Sequence, residues 1–374
     1  MRTLIVATLA MVLVVSRGEA QGALSTQGLG YPTGEMSARA EGTGGAVGDF
    51  DALSLVSPAS IAGVGASALF FQYSPEFRKV TAGSGTANTT TARFPMISGI
   101  LPLGQAWALG LSSSTFLDRS SQTSLVRRQL VGADSVSETE QMKVLGAIND
   151  VRLALAWSGT PKVHLGGGLH VFSGSNLVTL SQIFPDSAKY ISTSETARLS
   201  FTGFAASAGI EFHPSRVIGF AIAGRKGGNL TAASGDTTIG RAPLPDHYSA
   251  SVSYDGITGA NLSARVAHDN WSSLSSIGPS VQGFDSWDYS FGGEASGPRV
   301  LQRLIVVRAG ARVRTLPFGF NGQKVSETSF MGGIGVPLAR DRAAFDFSFQ
   351  HAARSAGTVK ERGLIFSFGL RVTP

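Results

Sequence analysis

The chain has 374 residues, a formal net charge of +6 and 15% charged residues, below the roughly 25% typical of globular domains. It contains 47 glycines and no cysteine, which excludes a disulfide framework, a zinc–thiolate site and a thiol nucleophile. The positive charge is not gathered into a basic patch interleaved with aromatic residues, so no nucleic-acid partner is expected.

The first twenty residues have the pattern of a secretory signal peptide. Arg2 supplies a positive start, Leu4–Val15 is apolar, and Gly18–Ala20 offers small residues for cleavage after Ala20. A membrane-spanning helix needs roughly 18 apolar residues, which this run does not reach. We therefore predict that residues 1–20 are a signal peptide and that the mature chain is exported.

Residues 21–63 are predicted to form a plug. Their central part, Ala38–Gly63, is dominated by Ala, Gly and Ser and includes the acids Asp49 and Asp51. It shows neither a helical period nor a strict alternation. Because its side chains are too small to form a core alone, this segment has to be buried against a concave surface made by the rest of the chain.

Residues 64–374 consist of short segments in which apolar and polar residues alternate. In the clearest one, Phe345, Phe347 and Phe349 share a face opposite Asp346 and Ser348. No second apolar run is long enough for a helix to cross a bilayer. An exported, lightly charged chain with this pattern is typical of outer-membrane barrels, in which lipid covers one face of every strand.

Fifteen segments have the strand pattern: 64–74, 91–101, 105–116, 122–131, 145–157, 163–172, 196–212, 217–224, 247–254, 261–267, 287–294, 301–314, 325–336, 343–351 and 364–372. Bacterial single-chain barrels have even strand numbers. We therefore predict an all-β fold, a transmembrane antiparallel β-barrel of about 14 strands with the N-terminal plug in its lumen; sixteen strands is the alternative. Residues 83–90, 173–194, 226–245 and 272–285 are expected to be loops, with a short helix at Leu177–Phe184.

No catalytic, cofactor or metal site is expected. The six histidines, at positions 164, 170, 213, 247, 268 and 351, have no metal-ligand spacing, and no GxSxG motif is present. A hydrolase built into a barrel would need a His–Ser pair with an orienting group, for which the sequence gives no positive signal. The prediction is that the protein is not an enzyme.

The polar faces of the predicted strands carry arginines that would point into the lumen: Arg152, Arg265, Arg308, Arg312, Arg314 and Arg371. Few acids are expected opposite them beyond Glu211, Glu294 and Asp346. These arginines either hydrate the pore and pair with Asp49 and Asp51, or receive an anionic head group while apolar side chains hold the tail of a ligand.

Two regions of the chain resemble FadL-type outer-membrane transporters of long-chain fatty acids. One is the run Gly42–Ala46 followed by Asp49 and Ser57-Pro58-Ala59, with Ser57 where that family usually has Asn; the other is the tail from Arg308 to Phe349. The resemblance is thin over roughly residues 120–240. It implies a fourteen-stranded barrel with an N-terminal hatch that passes hydrophobic molecules.

The expected function is therefore passive, plug-gated diffusion of hydrophobic, fatty-acid-like or aromatic compounds across a bacterial outer membrane. The alternative is a non-transporting barrel of the same superfamily that serves as a scaffold for a secretion or surface-attachment system. Expected partners are membrane lipid and a hydrophobic small molecule with an anionic head, or a protein if the barrel is a scaffold. The gate is assigned to plug residues: Gly44, Gly45, Asp49, Asp51, Ser57, Pro58 and Ala59.

Overall fold

A computed structural model describes residues 24–25, 28–82, 85–131, 134–279, 281–300, 303–339 and 342–374. The predicted signal peptide lies outside the described residues. Fourteen antiparallel strands form a closed barrel, as predicted, with the last strand pairing back onto the first through partners such as Leu370 and Phe71. No helix in the described ranges is long and apolar enough to cross a membrane.

The strands are β1 Ala68–Ala82, β2 Gly85–Arg93 with Met96–Leu103, β3 Trp107–Asp118 with Ser121–Val131, β4 Asp134–Thr160, β5 Val163–Ile183, β6 Thr193–Phe212, β7 Ile218–Ser234, β8 Thr237–Pro243 with His247–Ile257, β9 Ala260–Asp269, β10 Ser286–Val300, β11 Arg303–Thr315, β12 Ser326–Leu338, β13 Ala343–Ala356 and β14 Val359–Val372. Three strands, β2, β3 and β8, are thus interrupted. The predicted segments 105–116 and 122–131 are two halves of β3, because both pair with β4. This explains why fifteen segments give fourteen strands.

Several strands run further than their apolar pattern indicated. Residues 83–90, 173–194 and 226–245 were expected to be loops, but most of their described residues belong to long hairpins. The expected helix at Leu177–Phe184 is also wrong, since β5 continues through it, paired with β4 and β6. These hairpin arms carry polar residues on both faces, so the alternation that marks a half-buried strand is lost there.

The two rims of the barrel differ. At the turn rim, strands are joined by short connections such as 104–106, 161–162 and 213–217. At the loop rim, longer connections such as 184–192 and 316–325 occur, and a 3-10 helix, Trp271–Ile277, lies in the connection between β9 and β10.

Most outward-facing side chains are apolar and most inward-facing ones are small, polar or charged, although inward apolar residues such as Phe70 and Phe116 belong to buried clusters. On β13 and β14, Phe349 and Leu370 are exposed while Ser348 and Ser367 are buried. Trp107 and Trp157 are also exposed and lie beside each other at the turn rim, with ring centroids 6.3 Å apart. The outer surface is therefore an apolar band with aromatic residues at one edge, as in membrane barrels.

The segment before β1 runs through the lumen from the loop rim to the turn rim. The backbone N–H of Leu24 donates to the Glu361 carboxylate beside the β13–β14 hairpin, and Gly63 lies against His164 at the turn rim. Between these points lie helix α1, Ala38–Gly42, and two 3-10 helices, Gly48–Phe50 and Pro58–Gly63. We call residues 24–25 and 28–67 the plug.

Candidate functional site

The plug meets the barrel wall where the wall has no side chain. At Gly292 and Gly310, on β10 and β11, an added β-carbon would lie 2.2 Å from the carbonyl oxygen of Thr43. At Gly166, on β5, it would lie 2.3 Å from the carbonyl carbon of Pro58. Glycine is the residue that permits such close backbone approach. These wall positions therefore determine where the plug sits.

Asp49 joins the plug to the wall by charge-assisted hydrogen bonds. It lies in the short helix Gly48–Phe50 and is fully buried. Its carboxylate accepts hydrogen bonds from the hydroxyls of Ser249, at 2.8 Å, and Ser251, and from Nε of Arg265 at 3.1 Å. A buried carboxylate needs such partners, and all three come from β8 and β9.

Asp51 instead holds the plug together internally. Its Oδ2 accepts hydrogen bonds from the hydroxyls of Ser37, at 2.5 Å, and Ser54, at 2.7 Å. Ser37 is also the N-cap of α1. Arg39 lies 3.5 Å from Asp51 and binds Glu294 on the wall. The two plug acids therefore have different structural roles.

Ser57 begins the last plug helix. Its hydroxyl accepts a hydrogen bond from the backbone N–H of Ala59 at 3.3 Å, and Pro58 occupies the first helical position. Both are favoured choices for starting a helix. The chain then continues to Ala68, four residues beyond the expected start of the barrel, before β1 begins.

Tyr31 lies in a cage of charged wall residues near the loop rim. Four guanidinium carbons lie 4.8–6.0 Å from the centre of its ring: those of Arg78, Arg93, Arg314 and Arg354. The Tyr31 hydroxyl donates to Glu327 and accepts from Arg354, both at 3.0 Å. Three fully buried carboxylates contact Arg354 at 2.6–2.8 Å: Glu76, Glu327 and Glu361. The aromatic ring and the carboxylates together compensate for the buried positive charges.

The wall beside Tyr31 contains a section without backbone pairing. β2 and β3 pair between Met96–Leu103 and Trp107–Ser114, and one further backbone hydrogen bond runs from the N–H of Thr115 to the carbonyl of Pro95 at 2.8 Å. Over the described residues, their loop-rim segments, Gly85–Arg93 and Ser121–Val131, share no pairing. We call this the unpaired section.

The plug occupies the inner side of the unpaired section. β3 bulges at Phe116, and Leu117 and Asp118 then pair with Pro32 and Tyr31 of the plug. An ion pair crosses the section, from Arg93 Nε to Asp118 Oδ2 at 2.5 Å. Backbone pairing between strands is thus replaced here by plug contacts and a charged contact.

A cavity of about 110 Å³ lies between the plug and this part of the wall, of the scale of the roughly 150 Å³ apolar cavity that accepts benzene in another protein. Its apolar lining includes Met36, Phe116, Trp271, Leu316 and Met331. Phe116 and Trp271 stack with ring centroids 5.1 Å apart and belong to a buried apolar cluster under the loop rim. The lining also includes Pro95 at the unpaired section.

The charged lining of the cavity is largely paired, which corrects the expectation of few acids in the lumen. Arg265 pairs with Asp49, Arg312 with Asp288, and Arg314 with Glu327. The acids were underestimated because Asp288 and Glu327 lie next to strand ends that the pattern placed less reliably.

The remaining predicted lumen arginines lie away from the cavity. Arg308 binds Glu294 and Asp346, and Arg152 donates to the carbonyl of Leu55 at 2.9 Å. Arg371 is partly exposed near the end of β14. Of the predicted gate residues, Gly44 and Gly45 line the cavity, whereas the others connect the plug to itself or to the wall.

Two plug glutamates at the cavity are in opposite electrostatic environments. Burial raises the pKa of Glu41 to about 7, and the nearby Ser367 hydroxyl and Arg312 offset this only in part. Burial alone would also raise the pKa of Glu35. The charges of Arg225, whose Nη1 lies 2.9 Å from Glu35 Oε1, and of His247 outweigh this effect and lower the pKa to about 2. The pKa of Glu41 therefore lies near neutral pH.

One hydrogen-bonded chain in the wall has the connectivity of a serine hydrolase triad. His170 Nδ1 contacts Asp150 Oδ2 at 2.8 Å, and His170 Nε2 contacts the Ser207 hydroxyl at 2.8 Å. Ser207 lies in mid-strand, paired with Gly168 on one side and Arg225 on the other. Its backbone N–H is committed to the sheet and is not free to stabilise an oxyanion.

Some residues of the cavity were predicted from the sequence, namely Gly44, Gly45, Arg265, Arg312 and Arg314, whereas other cavity residues and those of the unpaired section were not. Tyr31, Glu41, Phe116 and Asp118 have no distinctive local motif. The only available signal was the polar interruption after Phe116 in an otherwise alternating stretch, which was interpreted as a boundary between two strands.

No protein-family model and no curated protein matches the chain. Solved structures do match its fold. A FadL homologue of Pseudomonas aeruginosa has a TM-score of 0.64 at 13% identity, covering 92% of this chain and 99% of its own. The monoaromatic hydrocarbon channel CymD has a TM-score of 0.56 at 13% identity, covering 92% and 98%.

The toluene transporter TodX of P. putida has a TM-score of 0.56 at 12% identity, covering 95% of this chain and 99% of its own. At these identities the matches establish architecture. The chain therefore has the fold of FadL-type outer-membrane barrels.

Proposed function

We propose that the protein is a channel of the bacterial outer membrane through which hydrophobic compounds diffuse passively, with the plug as its gate. The observation that carries the proposal is the cavity between plug and wall, lined by Phe116 and Trp271 and bordered by the unpaired section. The lining of the cavity is mixed: its aromatic and apolar side chains suit a hydrophobic ligand, and the charged groups beside them are largely paired with one another. Channels and transporters of the same fold, including the toluene transporter TodX, support this direction.

The cavity favours a compact ligand. Its volume of about 110 Å³ suits a molecule of monoaromatic size better than an extended acyl chain. An anionic head group would have to compete with Asp49, Asp288 or Glu327 for the cavity arginines. We therefore propose a neutral aromatic as the first ligand to test and a fatty acid as the second.

The proposed route enters under the loop rim and leaves sideways through the unpaired section. Short turns face the periplasm in barrels of this kind, so the loop rim faces the outside of the cell. A molecule in the cavity lies beside Pro95 and Phe116, next to the place where β2 and β3 are not hydrogen-bonded. Passage then requires movement of Tyr31 and rupture of the Arg93–Asp118 contact.

The scaffold alternative is supported by how completely the plug and its ion pairs fill the lumen. It predicts no uptake in any variant. The discriminating experiment measures entry of labelled toluene and labelled fatty acid into cells that lack their own transporter and express the wild type, a variant without residues 38–58, or an empty vector. Equal uptake by all three across both ligands would favour the scaffold.

A further inference from the structure

Three side chains with metal-binding atoms meet at the turn rim. His164 stands at the start of β5, Glu211 near the end of β6, and His213 directly after β6. His164 and Glu211 are cross-strand partners, and the backbone N–H of His213 donates to the carbonyl of Lys162 at 2.8 Å. Two adjacent turns thus bring together residues that are 47 to 49 positions apart.

The spacing of their ligand atoms is close to that around a bound zinc ion. Glu211 Oε2 lies 3.4 Å from His164 Nδ1 and 3.7 Å from His213 Nε2, and the three groups offer ligand atoms within 4.8 Å of one another. Tetrahedral zinc with bonds of about 2.0–2.2 Å places neighbouring ligand atoms about 3.3–3.5 Å apart. Small rotations of the side chains would close the difference.

The environment of Glu211 independently favours a bound cation. Glu211 is 5% exposed, and its Oε1 is buried without a hydrogen-bond partner. Buried carboxylate oxygens are normally satisfied, because an unpartnered one bears the full cost of leaving water. A cation between Glu211 and the two imidazoles would supply that partner if both carboxylate oxygens of Glu211 contact it.

The surroundings of the cluster restrict its histidines. The ring of His213 packs against Phe50 of the plug with centroids 6.2 Å apart, and a β-carbon at Gly219 would lie 2.9 Å from His213 Nδ1. A β-carbon added at Gly63 of the plug would lie 3.6 Å from His164 Cε1. The imidazoles are therefore held in place partly by the end of the plug.

We propose that His164, Glu211 and His213 bind one divalent transition-metal ion of the zinc class, with the remaining coordination position open to water. The ion connects the start of β5, next to the β4–β5 turn, to the β6–β7 turn, directly beside the end of the plug. It stabilises this rim irrespective of what passes through the lumen. Two imidazoles and one carboxylate are the donor set that zinc accepts in open sites.

The test uses full-length mature protein in detergent, purified with a tag that contains no histidine and treated with a chelator. Zn²⁺ is titrated calorimetrically, and Co²⁺ is titrated by visible absorption, which reports the coordination geometry. The wild type should bind one equivalent, and His213→Ala and Glu211→Gln should each weaken binding by at least about tenfold. His351→Ala, an exposed histidine on β13 outside the cluster, is the matched control and should bind like the wild type.

Heat-modifiable migration on gels verifies that each variant is folded before titration. If Glu211→Gln is not folded, His164→Asn and His213→Ala decide the outcome. The proposal is overturned if the folded wild type takes up no equivalent of either ion, or if the cluster variants bind as tightly as His351→Ala.

Discussion

Arg93 and Asp118 form the ion pair that bridges β2 and β3 where the described backbone of these strands is unpaired, with Nε and Oδ2 2.5 Å apart. Both side chains are almost fully buried. Arg93 also contacts Glu76 at 2.6 Å and faces the Tyr31 ring. The pair therefore links the wall to the charged cage around the plug.

We expect Asp118→Asn to raise uptake of a compact aromatic severalfold. The substitution keeps the shape of the side chain but removes the charge that draws Arg93 across the unpaired section, at a cost in stability of about 1–3 kcal/mol. Initial uptake rates in whole cells measure the effect. Arg127→Ala, which removes an exposed ion pair with Glu140 from the same strand β3, is the control and should leave uptake unchanged. Equal rates for Asp118→Asn and wild type would contradict the lateral route.

Asp49→Ala should release the plug from the wall while the barrel stays folded. It leaves Arg265 buried without its carboxylate, and breaking a buried pair in this way costs about 3–5 kcal/mol. Hydrogen exchange of plug peptides measures the loss of protection. In the double variant Asp49→Ala/Arg265→Met most of the loss should be recovered, since no uncompensated charge remains. Unchanged plug protection in Asp49→Ala would show that this contact does not hold the plug.

Docking of the plug should weaken as the pH rises from 4.5 through about 7. In the docked state the Glu41 pKa is about 7, so the docked plug keeps a proton that the released plug loses, and docking is favoured on the acid side. Protection of plug peptides is compared at about pH 5 and about pH 8. Glu41→Gln should abolish the difference.

Glu35→Gln serves as the control for this titration. Because the Glu35 pKa is lowered to about 2, its contribution is present above the ordinary value of 4.5 and is lost as the pH falls through about 2. The variant should dock less well but keep the pH dependence near neutrality. A wild type with equal protection at both pH values would refute the assignment to Glu41.

Phe349→Arg should destabilise the barrel by about 2–4 kcal/mol, because Phe349 is exposed on the outer surface in the middle of β13, where we expect the bilayer centre. Val372→Arg, on the same outward surface at the end of β14, should cost only about 0–1 kcal/mol, near the membrane interface. Urea titration of the refolded protein in lipid vesicles gives both values. Similar costs at the two depths would argue against the membrane assignment.

Ser207 should not react with a fluorophosphonate probe. The Asp150–His170–Ser207 chain resembles a triad, but Ser207 has no free backbone donor beside it and does not line the cavity. Labelling is followed by mass spectrometry, with Ser207→Ala as the control. Labelling of the wild type but not of Ser207→Ala would show that the barrel carries a reactive serine.

The barrel was predictable from the sequence because each half-buried strand repeats the same physical constraint. Phe345, Phe347 and Phe349 alternate with inward polar residues, and this pattern recurs around the sheet. The hairpin arms beyond the apolar band were missed because neither of their faces has to be apolar to pack against a core or against lipid. Leu177–Phe184 therefore lacks the alternation of apolar and polar residues that marks a strand.

The site was less predictable, because it is assembled from contacts between distant residues. Asp49 could be expected to find an arginine, but nothing local identified Arg265 as that arginine. The Tyr31 cage and the Glu211 cluster depend on which strands become neighbours after closure. The break in β3 appeared in the sequence only as a spurious boundary between strands.

The contacts of Thr43 with Gly292 and Gly310 show that the plug fits against the wall because these two wall residues have no β-carbon. The backbone of Thr43 leaves room only for the α-hydrogens of Gly292 on β10 and Gly310 on β11. A methyl group at either position would clash with the carbonyl oxygen of Thr43 and push the plug away from the wall, without changing the outer surface or an ion pair. We therefore expect Gly292→Ala or Gly310→Ala to displace the plug from its position, which under the proposed gating would open the channel.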